Sequence, residues 1–169
     1  FPSVSAPMLP HRKVFSEWSF LPLAGVSNSQ TVFCKESEDW SVYKSDRFGF
    51  NNENHEEIEP YDVVLIGDSF AEGACVQPHE NIAAVLKASG LDTINLGRGA
   101  AGPLTELAIM KEYAHIFRPQ FIVWLYWVDD LEQLEEEFKS PILPRYLDES
   151  YGQNLAVRQA EIDDALTAF

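Results

Sequence analysis

Four consecutive branched apolar residues, Val63, Val64, Leu65 and Ile66, stand between polar neighbours. Such a run predicts a short strand buried on both faces, because a half-buried strand would alternate with polar positions. Two later stretches also read as strands: Thr93-Ile94-Asn95-Leu96, short and ended by Gly97, and Phe121-Ile122-Val123-Trp124-Leu125-Tyr126, read as the third buried strand. Between them the period changes from two to that of a helix. Ile82, Val85 and Leu86 form one stripe over residues 78–89, opened by Pro78 and ended by Gly90. Residues 103–117 form a second helix, stopped by Pro119. Leu131, Leu134 and Phe138 mark the apolar face of a third. After Pro141 and Pro144, residues 154–169 form a last helix with Leu155, Ile162 and Leu166 on one side. Strands alternating with helices predict an α/β fold: a parallel sheet of three strands near Val63, Ile94 and Val123, flanking helices and right-handed crossovers.

Residues 1–54 have neither period. Pro2, Pro7, Pro10 and Pro22 exclude long helices there, so the stretch reads as an extended N-terminal arm ahead of an α/β domain over residues 55–169. Thr31-Val32-Phe33 and Trp40-Ser41-Val42-Tyr43 suit short strands. The run Asp46-Arg47-Phe48-Gly49-Phe50-Asn51-Asn52 reads as a turn with two anchored phenylalanine rings, and Glu53, Glu56, Glu57 and Glu59 as a solvated acidic linker.

Chemistry concentrates where the first buried run ends. Gly67 permits a sharp turn, which brings Ser69 to the carboxyl end of the strand, where open α/β sheets place their ligands. Ser69 is therefore a candidate nucleophile, the alternative being that Asp68-Ser69 caps a turn. Gly97, Gly99 and Gly102 lie in one strand-to-helix loop, where the backbone can approach a ligand closely.

Composition narrows the partners. Twelve Lys and Arg against 27 Asp and Glu give a net charge of -15, which repels a phosphate backbone or an anionic membrane surface. No apolar run approaches the ~20 residues that cross a bilayer, and the chain does not open with the layout of a signal peptide. The two cysteines, Cys34 and Cys75, have no spacing for zinc or a redox motif, and no metal or cofactor is expected. Two buried thiols are one reading of the pair. The expectation adopted is a disulfide stapling the arm to the active edge, which implies an oxidising, extracytoplasmic compartment.

The segment Val64-Leu65-Ile66-Gly67-Asp68-Ser69-Phe70 resembles the first signature block of the SGNH (GDSL-type) hydrolases, esterases and acyl hydrolases built on a flavodoxin-like sheet. The resemblance implies that Ser69 attacks an acyl carbonyl and that its backbone N–H helps to hold the oxyanion. The segment from Asn95 to Pro103 resembles the second block, and by spacing the family's oxyanion glycine falls on Ala100, next to Gly99. Where the third block carries an asparagine that donates to the oxyanion, this chain has Asp129, which cannot donate while ionised. Asp46-Arg47-Phe48-Gly49-Phe50-Asn51-Asn52 resembles a stretch ahead of the first strand in a bacterial subgroup. The Asp-x-x-His block that supplies the family's base is absent, and the histidines are His11, His55, His79 and His115.

The resemblance covers roughly residues 40–140 and implies an esterase acting on an acyl ester, with acylated carbohydrate as the suggested class. The alternatives are an inactive structural or binding subunit of a larger assembly, and a fragment whose last strands and Asp-x-x-His lie beyond Phe169. A three-stranded parallel sheet leaves an apolar edge, so more chain or a protein partner is expected to cover it.

Overall fold

The computed structural model describes residues 3–4, 19–35, 40–52, 60–128 and 130–168. Two sheets form. In the first, β1 (Ser3–Val4) lies parallel to β2 (Gln30–Cys34), and β3 (Ser41–Lys44) runs antiparallel to β2. In the second, β4 (Val63–Ile66) lies between β5 (Thr93–Asn95) and β6 (Phe121–Trp124), all parallel. The connections carry α1 (Ser69–Glu72), α2 (Ile82–Ala88) and α3 (Pro103–Tyr113); α4 (Asp130–Glu137) and α5 (Gln159–Thr167) follow β6.

The central position of β4 follows from its residues, all four of which are buried. Its side chains divide by alternation. Val64 and Ile66 enter the larger core with Ile94, Leu104, Ala108, Ile109 and Tyr113, while Leu65 packs with Ala71 and Ala83. Phe20, Leu21, Leu23, Phe48 and Phe50 belong to the larger core, so residues 19–50 share it with the parallel sheet. The rings of Phe48 and Phe50 lie 5.5 and 5.1 Å from that of Tyr113.

Four elements depart from the sequence pattern. The run over residues 121–126, expected to be a buried strand, is instead an edge: Phe121, Ile122, Val123 and Trp124 are all exposed, because among the described residues β6 pairs only with β4. The expected apolar face of α4 is turned the other way. Leu131 and Phe138 are exposed, Leu134 is partly buried, and Asp130 and Glu137 are the buried residues. The reason is the neighbour: α4 packs on α3, whose amino end offers N–H groups that a carboxylate satisfies and a leucine does not. Finally, two predicted helices are interrupted. Asn81 accepts from the Ala84 N–H and starts α2 afresh after a 3-10 turn at Pro78–Glu80. The last helix begins only at Gln159, after a 3-10 turn at Leu155–Val157.

Cys34, in β2, is bonded to Cys75, just after α1, with a Cα–Cα distance of 5.2 Å. The bridge ties the β2–β3 hairpin to the turn that carries Ser69. It closes a loop of 41 residues, for which the chain-entropy model gives about 3–4 kcal/mol. The variant Cys34→Ser/Cys75→Ser is expected to lose stability of that order in urea unfolding. Alkylation of two free thiols in the native, unreduced protein would show that the bridge does not form.

Candidate functional site

At the carboxyl end of β4 the chain turns through Gly67 into α1. Asp68 caps the helix by accepting from the Phe70 N–H at 2.8 Å. Ser69 opens α1, is half-buried, and its hydroxyl makes no hydrogen bond among the described residues. A four-residue helix has little stability of its own, and side chains from elsewhere hold this one. Asn51 Nδ2 donates to Glu72 O and Asn95 Nδ2 to Ala71 O, each at 2.7 Å. Asn95 Oδ1 also accepts from the Gly97 N–H at 2.8 Å. The glycine is required by this approach, since a Cβ at Gly97 would lie 2.3 Å from Glu72 N.

The turn of residues 46–52 supports the same edge. Asp46 Oδ1 accepts from the N–H groups of Phe48 at 2.8 Å and Phe50 at 3.0 Å. Asn52 Nδ2 donates to Asp46 Oδ2 and to Asn95 O, while its Oδ1 accepts from the Asn95 N–H. Burial pushes the Asp46 carboxyl up to about 6, against the pull of these donors. The sequence pattern predicted the two rings and missed the network. Its signal was the presence of Asp46, Asn51 and Asn52 around residues that must be buried.

The two glycine-loop candidates are placed differently. The Gly99 N–H donates to the carboxylate of buried Glu72, which also accepts from Tyr43 Oη at 2.8 Å and lies 3.6 Å from Arg98 Nη1. Gly99 thus points its amide at an internal acid. Ala100 takes φ +60°, and its N–H has no partner among the described residues. This left-handed conformation costs an L residue roughly 1–2 kcal/mol. Ala100→Gly is therefore expected to stabilise the fold by about 1 kcal/mol in urea unfolding, and a loss of stability would mean that the loop holds no such strain.

Asp129 lies outside the described residues. Around it, Asp130 Oδ2 accepts from the Trp127 N–H at 2.6 Å, and the exposed rings of Phe70 and Trp127 lie 5.3 Å apart. Glu106, in the first turn of α3, was not singled out by the sequence pattern. It is fully buried, and its Oε2 accepts from Trp124 Nε1 at 2.6 Å. Burial chiefly, and then the charges of Asp130, Asp68 and Glu137, push its carboxyl up to about 8.

No histidine reaches Ser69 among the described residues. His79 and His115 are exposed, and His115 lies near the amino end of β4, where Tyr61 N donates to Phe117 O. His11 and His55 fall outside the described residues. No group of three or more His, Cys, Asp and Glu among the described residues is placed to hold a metal ion, and no described helix is long and apolar enough to cross a membrane. The arrangement presents a hydroxyl with one unengaged backbone donor in the next loop. Comparison with protein-family models, curated proteins and solved structures gave no match.

Proposed function

We propose that this chain carries the nucleophile side of a serine ester hydrolase site of the SGNH (GDSL) type, acting on an acyl ester such as an acylated carbohydrate. The observation that carries the reading is the strand order β5-β4-β6, the order in which a flavodoxin-like sheet begins. In such sheets ligands bind outside the carboxyl ends at the switch point between the first and third strands, and Ser69 follows the strand equivalent to the first. In the proposed reaction Ser69 Oγ attacks the acyl carbonyl and passes its proton to a general base. The N–H groups of Ser69 and Ala100 hold the oxyanion, the bond to the alcohol breaks, and water releases the acid from the acyl-enzyme. The base comes from outside the described residues. The Cys34–Cys75 bridge supports an extracytoplasmic setting for this reading.

A second reading, an inactive binding subunit, draws support from the Gly99 amide being held by Glu72. Labelling with a fluorophosphonate separates the two. A slow reaction at Ser69, abolished in Ser69→Ala, is expected for the hydrolase, since an unassisted hydroxyl is a weak nucleophile. Complete absence of labelling favours the binding subunit.

A further inference from the structure

Strand β6 pairs with β4 on one side and with no described residue on the other. Its four side chains are 64%, 46%, 37% and 42% exposed, and the apolar surface continues through Tyr126, Trp127 and Val128. Four aromatic side chains of ~150–250 Å² each, taken at about half exposure together with the three aliphatic ones, make a patch of roughly 700 Å². That exceeds the ~300–600 Å² of the largest patch on a typical monomer and is close to the ~800 Å² that each partner gives to a standard interface. We propose that β6 is a self-association edge: two copies of this chain pair their β6 strands antiparallel about a two-fold axis, joining the two parallel sheets into one of six strands. Charge along the chain selects a second copy in this orientation. Arg118, exposed, precedes the strand; residues 119–128 carry no charge; exposed Glu132 lies in the first turn of α4. Antiparallel pairing brings Arg118 of each copy towards Glu132 of the other, whereas parallel pairing sets like charge beside like. The uncharged stretch is also where two chains of net charge -15 can approach with least repulsion. Such a two-fold contact is self-complementary and closed, and it satisfies the backbone groups an edge strand leaves open.

The inference does not depend on the chemistry of Ser69. Sedimentation velocity of the chain over about 1–100 µM is expected to show its mass rising from 19.1 kDa to twice that value. Val123→Lys, at the centre of the strand, is expected to hold it monomeric with an unchanged circular dichroism spectrum. Arg118→Glu and Glu132→Arg are each expected to weaken the dimer about threefold, and the double variant to restore it. A single monomeric species at about 100 µM would overturn the proposal and leave the edge to further chain or to a different polypeptide. So would a dimer indifferent to Val123→Lys and to the charge variants, or growth into open-ended oligomers.

Discussion

Replacing Glu137 with alanine is expected to lower the unfolding free energy by about 3–5 kcal/mol, because it leaves buried neutral donors unsatisfied at roughly 1–3 kcal/mol each. Helix α3 begins at Pro103 without a side-chain cap from its own N-cap residue, Gly102. The Glu137 carboxylate supplies the missing acceptor, taking the N–H groups of Gly102 at 2.9 Å, Leu104 at 2.8 Å and Thr105 at 3.1 Å, together with the Thr105 hydroxyl. These donors are buried, so water cannot replace the carboxylate, and the positive end of the helix dipole adds to the attraction. Glu137→Gln keeps one carbonyl acceptor but loses the charge and turns an NH2 group towards other donors, so an intermediate loss is expected. Urea unfolding followed by circular dichroism measures both. A loss below about 1 kcal/mol for the alanine variant would mean that these N–H groups find other acceptors.

Stability is expected to fall as pH rises from 6 to 8, and Glu106→Gln is expected to remove most of that fall. The Glu106 carboxyl is pushed up to about 8 in the folded chain, against ~4.3 when unfolded. The folded state therefore keeps a proton that the unfolded state releases. The contribution is complete below the unfolded value, shrinks as pH rises and is lost above about 8. Asp46, pushed up to about 6, acts in the same direction but at lower pH, so the window from 6 to 8 belongs to Glu106. The acids facing Glu106 are Asp68 beside Ser69 and Asp130 and Glu137 on α4, and all three oppose its ionisation. The glutamine side chain mimics the protonated form and can still accept from Trp124 Nε1, so packing is kept. Urea midpoints at pH 5, 6.5 and 8.5 test the slope. Tryptophan fluorescence supplies an independent readout, with a titration near pH 8 that Glu106→Gln abolishes. Equal slopes in the two proteins would show that Glu106 does not hold the proton.

The sequence by itself determined the parallel core. Val63 to Ile66 are apolar without interruption, which predicts a strand buried on both faces, and the structure buries all four. It also determined where Ser69 stands, because the position follows from the strand immediately before it. That three parallel strands leave an apolar edge was legible too, but not that the run from Phe121, read as buried, would be the exposed one. The roles of the acids were not legible. A surplus of carboxylates reads as a repulsive, solvated surface, yet Asp46, Glu72, Glu112 and Glu137 are buried and accept backbone N–H groups. Glu112 takes those of Gln153 and Leu155, holding the last segment against α3. Each of these partners except those of Asp46 lies 27 or more residues away, and a periodicity read over a dozen residues cannot report it. The same distance explains α4, whose apolar stripe predicted the wrong buried face. Which side of a helix is buried depends on what the facing surface lacks, and the amino end of α3 lacked acceptors, not apolar contacts.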